Sequence, residues 1–349
     1  MEYTKILKRA WKILWSYQIL WIFGIILAFT TFSWPEVIFT PKDRRYDLGL
    51  TYERGQGWVW NPVDFDHEFA QFKQIPDEAL DILVPVIVVS ASIIILIILI
   101  TPVFRYVSET ALIRMVNAEE ETGERYGFRK GFRLGWSGGA VRIFLLDLIV
   151  NIPFAVVVIG LLLAAAAPVF LSLEGSESGI IFGGFLSAGL VFLVVFIAIV
   201  GWAGLSLLKY IARQYCVLAE LGVMEAIRQG YQLARGNLKA VCSMWLLMTG
   251  LELGWPILAI PLVFLGLVIG SVLGGGGGLL AGGLSSAIFD TPLPYLIGGL
   301  VGFPLFVLGI VIPVSIFDGF KKTFQSSTWT LTYRELLSQS TLQQNVEPV

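Results

Sequence analysis

An all-α integral membrane protein is the fold class the sequence predicts: six transmembrane helices arranged as three tandem two-span units. Three observations point there. The composition, 56% hydrophobic and 14% charged with a mean hydropathy of +0.77, is too apolar for an ordinary soluble domain. Six apolar runs reach the ~20 helical residues needed to cross a hydrocarbon core, near 16–33, 80–104, 141–170, 181–208, 241–272 and 293–317. Finally, a motif recurs at an offset of 99 residues and each copy leads into a span. Arg114, Glu121, Gly123, Arg129, Gly131, Phe132 and Leu134 match Arg213, Glu220, Gly222, Arg228, Gly230, Tyr231 and Leu233. A fainter copy places Lys8, Ala10, Trp11, Ile13, Trp15 and Ser16 against Arg129, Gly131, Phe132, Leu134, Trp136 and Ser137. Repeats of this kind define an architecture before any single residue does.

The units run from about 1 to 104, 105 to 208 and 209 to 317, with a tail at 318–349, all within one membrane domain. In the first, basic residues precede an apolar stretch, as in a signal peptide. The stretch is too long, and Phe29 to Trp34 offers no small-x-small cleavage site, so it reads as an uncleaved anchor. The first outer loop, 34–79, is the one sizeable aqueous segment. Trp34, Trp58 and Trp60 mark its interface, and Arg54-Gly55-Gln56-Gly57 reads as a turn. Its Asp64, Asp66, His67 and Glu68 form a carboxylate–histidine cluster of the type that attracts a divalent cation, although solvated acidic loops produce such spacing readily.

The second and third units each open with an amphipathic elbow helix. Arg129, Phe132, Arg133 and Trp136 fall at three- and four-residue spacing on one helical face, and Arg228 and Tyr231 repeat the pattern. Aromatic rings and snorkelling guanidinium groups suit the headgroup layer, so these elbows either orient the spans or recognise anionic lipid. Gly131 and Gly230 cost about 1 kcal/mol each relative to Ala in mid-helix, which close approach to a neighbouring helix would offset. Span five looks too long for one crossing and is interrupted at Gly254-Trp255-Pro256 and Pro261; the glycines at 274–278 read as a flexible outer connection. No Gly-Lys-Ser/Thr follows them, so they are no P-loop. Gly266/Gly270 and Gly298/Gly302 have the small-xxx-small spacing that lets spans pack closely. After about 337 the tail is polar and is expected to fray.

Charge sets the orientation. Lys and Arg number 4 before span one, 5 in 34–79, 7 in 105–142, 5 in 209–240 and 3 after span six. The positive-inside rule therefore predicts that both termini and both elbow segments are cytoplasmic. With a net charge of −2 there is no basic field for nucleic acid. Cys216 and Cys242 read as small apolar residues, and two cysteines with one distant histidine make a poor zinc site.

Polar groups inside spans are expensive and mark candidate sites. Asp147 and Asn151 share a face of span three, and Glu252 lies near the middle of span five. They read as packing groups or as a midplane site for a substrate or proton. No nucleophile–base pair, metal signature or cofactor motif is visible.

The pattern Arg213, Glu220, Gly222, Glu225, Arg228, Gly230, Tyr231, Leu233 and Asn237, with Ala10-Trp11-Lys12-Ile13-Leu14-Trp15 and the tail Thr328 to Arg334, resembles a broad group of bacterial six-span proteins. That group includes the membrane domain attached to some glycerophosphodiester phosphodiesterases. The resemblance implies architecture and carries no reaction. No segment outside the spans has the length to house the soluble catalytic barrel of those relatives. Two functions follow as expectations: a non-enzymatic scaffold or accessory subunit, binding a membrane protein or anionic lipid in a bacterial inner membrane, or a small carrier with a site at Asp147, Asn151 and Glu252.

Overall fold

The computed structural model describes residues 2–31, 50–53, 57–60, 77–172, 177–288 and 293–346. Among them the elements in order are α1 (Tyr3–Ser16), α2 (Ile19–Thr30), β1 (Leu50–Glu53), β2 (Gly57–Trp60), α3 (Asp77–Thr122), α4 (Phe128–Gly135), α5 (Gly138–Ser172), α6 (Glu177–Leu218), α7 (Val223–Gly236), α8 (Leu238–Ser285) and α9 (Leu293–Val346). Five helices, α3, α5, α6, α8 and α9, are long and apolar enough to cross a membrane, or six if the bent pair α1–α2 is one span. The molecule fits a multi-pass membrane protein. The strands form one antiparallel hairpin, Leu50 opposite Trp60 and Glu53 opposite Gly57, within the predicted outer loop.

Its buried core lies at one end. There α1 packs on α9, α4 on α3 and α7 on α6, while the long helices pair as α2/α3, α5/α6 and α8/α9, and α2 also contacts α9. Ala10, Leu14, Leu20, Phe23, Leu112 and Met115 form the largest cluster, and Ile211, Cys216, Ala226, Val241 and Leu336 a second. Towards the other end the spans present their side chains outward, with Leu163 67% and Phe192 74% exposed. In water such faces would be a large penalty; in lipid they are solvated.

Glycine sets the close contacts at the core end as expected. A Cβ on Gly131 would lie 2.5 Å from Met115 Sδ and 3.0 Å from Phe23 Cε2, and one on Gly230 would lie 3.3 Å from Ala212 N. Each short helix therefore sits directly on its long neighbour.

Four local expectations differ from the structure. The first predicted span, 16–33, is shorter than expected: among its described residues α2 has 12, about 18 Å and short of a ~30 Å core, while α1 meets it at a 100° bend as an elbow would. Span five is not interrupted: α8 runs unbroken through Pro256 and Pro261. Trp255 stacks on Phe317 of α9 at 4.6 Å beside the first of these prolines, so packing holds the helix where a hydrogen bond is lost. Gly274 to Gly278 are helical rather than loop, because Gly274 and Gly278 lie directly against the α9 backbone at Gly302 and Gly298. The tail does not fray at 337; α9 continues to Val346, burying Trp329, Tyr333 and Leu336 on the way.

Candidate functional site

The three long helices α3, α6 and α9 change from apolar to charged at one level. Beyond their apolar stretches the first charged residues are Arg105, Lys209 and Asp318, the last followed by Lys321 and Lys322. On α3, Arg105 and Glu109 are four residues apart and share a face. On α6, Lys209, Tyr210 and Arg213 cover one turn, and on α9 Lys322, Gln325 and Trp329 follow at helical spacing. Asp147 and Asn151 of α5 and Glu252 of α8 come to the same layer through their contacts.

Arg213 organises the layer. Its Nη1 donates to Glu109 Oε1 at 2.7 Å, and its Nη2 donates to Asp147 Oδ1 and Oδ2 at 2.8 and 2.9 Å. The three side chains are only 15%, 12% and 6% exposed. Tyr106 donates its hydroxyl to Asp147 Oδ2 at 3.3 Å, and Arg105 Nη2 lies 4.0 Å from the same oxygen. A planar guanidinium forked between two carboxylates binds far more strongly in this dry setting than at a surface, because charge-assisted bonds strengthen as water is removed. Removing one partner would leave a buried charge uncompensated.

Two shorter links complete the layer. Lys209 Nζ donates to Asn151 Oδ1 at 2.9 Å on an exposed face. Gln325 Nε2 donates to Glu252 Oε1 and to the Tyr210 hydroxyl, both at 2.7 Å, and Tyr210 stacks on Trp329 at 4.5 Å. Between α2, α3, α6 and α9 the layer leaves a cavity of about 90 Å³, walled in part by Arg105, Glu109, Tyr210, Arg213, Lys322 and Gln325.

The side chains of Asp147, Asn151 and Glu252 do not bond to one another: each meets a separate partner, Arg213, Lys209 and Gln325, at the charged end of the spans rather than at their middle. Glu109, Arg105, Tyr210 and Lys322, which the sequence reading did not name as site residues, complete the layer. Their signal was available. Arg105, Lys209 and Lys322 mark the same end of three spans, and three acidic residues, Glu109, Asp147 and Glu252, lie close enough in register to face them.

The elbow residues lie apart from this layer. Arg129, Arg133, Trp136, Arg228 and Tyr231 are exposed, and Phe132 is half-buried between Phe128 and Trp136, with ring centroids 6.2 and 5.9 Å away. The Asp64, Asp66, His67 and Glu68 cluster lies outside the described residues. Among the described residues no group of three or more His, Cys, Asp or Glu is placed to hold a metal ion, and Cys216 and Cys242 are both free.

A second feature is a large apolar groove of about 670 Å³ between α3 and α5, lined by Leu99, Val103, Tyr106, Trp136, Val141 and Phe144 among others. It runs alongside the charged layer, which Tyr106 joins through Asp147.

Comparison with known proteins returns nothing: no family model, no curated protein and no solved structure matches the chain.

Proposed function

We propose that the chain is a non-enzymatic scaffold or accessory subunit of the bacterial inner membrane, associated with another membrane protein and with anionic lipid. The observation that carries this reading is the contrast between two of its concave features, the cavity in the charged layer and the α3/α5 groove. The charged layer is largely paired to itself and encloses only about 90 Å³, against the ~300–1,000 Å³ of sites that hold small-molecule ligands. The α3/α5 groove is apolar, open and about 670 Å³, a shape that suits a helix or acyl chain from outside. The charge distribution supports cytoplasmic termini, with the core end on the cytoplasmic side. The elbow residues Arg129, Arg133, Trp136, Arg228 and Tyr231 would then meet the inner headgroups.

Three tandem units, each an elbow, an outbound span and a return span, fit the contacts. Each elbow rests on the return helix before it, and α1 closes the series on α9. The repeated positions Arg114 and Glu220 pair across units at 2.7 Å.

Native mass spectrometry of protein extracted from its own membrane in mild detergent tests the reading. A stoichiometric protein partner, lost in a Leu99→Ala/Phe144→Ala groove variant and kept in Leu163→Ala, supports it. A chain that comes out alone and drives solute uptake in vesicles overturns it.

One observation favours a second reading as a small carrier: Asp147, Asn151 and Glu252 each bond a polar partner on α6 or α9, Arg213, Lys209 and Gln325. In that case Glu252→Gln and Asp147→Asn abolish uptake while the fold survives; unchanged uptake would sink it.

A further inference from the structure

The cavity within the charged layer has a one-sided wall. Arg105, Arg213 and Lys322 set three cations around it against one carboxylate, Glu109. Asp147 meets Arg213 and lies 4.0 Å from Arg105 Nη2, and Glu252 bonds the neutral Gln325; these two counter-charges stand behind the wall, so the face turned to the cavity is cationic although the layer as a whole is balanced. Lys322 is attracted by Glu109, Glu252 and Asp318 and repelled by Lys321. Three nitrogens on wall residues, Arg105 Nε, Arg213 Nε and Trp329 Nε1, are buried without a hydrogen-bond partner. Each can only donate. Buried donors left unmet are costly, and native folds rarely tolerate several together.

One kind of guest satisfies all of this: a compact group with several acceptor oxygens and negative charge. The volume agrees. About 90 Å³ compares with roughly 10–15 Å³ for one water on the same measure, leaving room for a single small oxyanion and too little for a sugar or nucleotide. The height agrees too, since α3, α6 and α9 all turn from apolar to charged here, as chains do where hydrocarbon gives way to headgroups. Arg105, with its side chain 37% exposed, reaches from the cavity to the outer surface of the bundle.

We propose that this cavity is an anion site for one phosphate-class oxyanion, with Lys322 and Arg105 as its charge partners and Arg213 held in place by Glu109 and Asp147. The phosphate belongs either to a lipid headgroup or to a free anion. The site stands independently of the scaffold reading: loss of a protein partner with anion binding intact would overturn that reading alone.

The test uses the full-length protein, delipidated in maltoside micelles, which contain no phosphate. Melting is followed with inorganic phosphate against chloride at equal ionic strength, and with phosphatidylglycerol against uncharged diacylglycerol in the micelle. The expected result is a rise in Tm of about 5 °C with one of the anionic probes. A response to inorganic phosphate identifies a soluble oxyanion; a response to phosphatidylglycerol alone identifies a headgroup. Lys322→Gln and Arg105→Gln should each weaken the responding probe about 10- to 100-fold, the value of one charge-assisted bond, while exposed Lys239→Gln leaves it unchanged. The proposal is overturned if neither anion raises the wild-type melting temperature, or if the rise survives both cavity substitutions. The wild-type arms decide the matter even if a variant fails to fold.

Discussion

The α8/α9 and α5/α6 pairs are both long apolar hairpins, yet they are joined by different physics. In α8/α9 the two backbones touch. A Cβ on Gly302 would lie 2.6 Å from the Gly274 carbonyl oxygen, one on Gly278 2.9 Å from that of Gly298, and one on Gly282 3.0 Å from that of Pro294. Gly266, Gly270, Gly274, Gly278 and Gly282 fall every fourth residue and supply one continuous seam. In α5/α6 close backbone approach is local, with a Gly183 Cβ 2.7 Å from the Pro168 carbonyl. The rest is made by discrete links: Val169 N–H to Ser187 Oγ at 3.2 Å, Lys209 to Asn151, and Arg213 to Asp147.

Apolar faces gain nothing from meeting one another in lipid, so a pair of spans needs either extensive van der Waals contact or a few polar bonds. The glycine seam uses the first and needs no charged side chain along it. The α5/α6 pair uses the second, and in doing so delivers Asp147 and Arg213 to the layer that becomes the candidate site.

The largest expected effect separates these two mechanisms. Asp147→Ala should destabilise the protein by about 3–5 kcal/mol in unfolding titrations in detergent, because Arg213 is left buried with Glu109 alone. A loss under about 1 kcal/mol would mean that the α5/α6 pair does not depend on the layer. Next, Gly302→Leu forces a side chain into the Gly274 backbone and should cost about 1–3 kcal/mol by the same measurement. Wild-type stability in that variant would remove the seam from the account. Lys209→Met deletes a link on an exposed face, and a shift of only about 0.6 kcal/mol is expected, the usual value of an interhelical hydrogen bond in a membrane. A larger loss would make it part of the buried network.

The smallest effect is predicted at Glu220, which holds φ 54° just past α6 while bonding Arg114. Glu220→Gly relieves a left-handed conformation worth about 1–2 kcal/mol and gives up an exposed pair worth about 0–1 kcal/mol. Thermal melting should therefore rise slightly or stay unchanged; a clear fall would place the Arg114 bond among the structural ones.

Much of this was legible beforehand. The spans at 141–170, 181–208 and 293–317 lie inside α5, α6 and α9, and the pattern around Arg129 and Arg228 anticipates α4 and α7. Asp147, Asn151 and Glu252 stand out because intramembrane polar groups are rare. What misled was local propensity. Five consecutive glycines read as a loop because each costs about 1 kcal/mol in a helix. Within lipid, however, a helix satisfies every backbone group internally, and contact with α9 adds to that.

By itself, then, the sequence determined the membrane class, most of the spans, the charge asymmetry and the short amphipathic helices. All of these are sums or periodicities over some twenty neighbouring residues, which hydropathy and helical spacing report directly. Only the tertiary structure decided that Arg213 pairs with Glu109, 104 residues away, and with Asp147, 66 residues away, and that the glycine run is a packing face. Which charges meet depends on the relative height and rotation of packed helices. Those are set by contacts between distant parts of the chain, and no local window contains them.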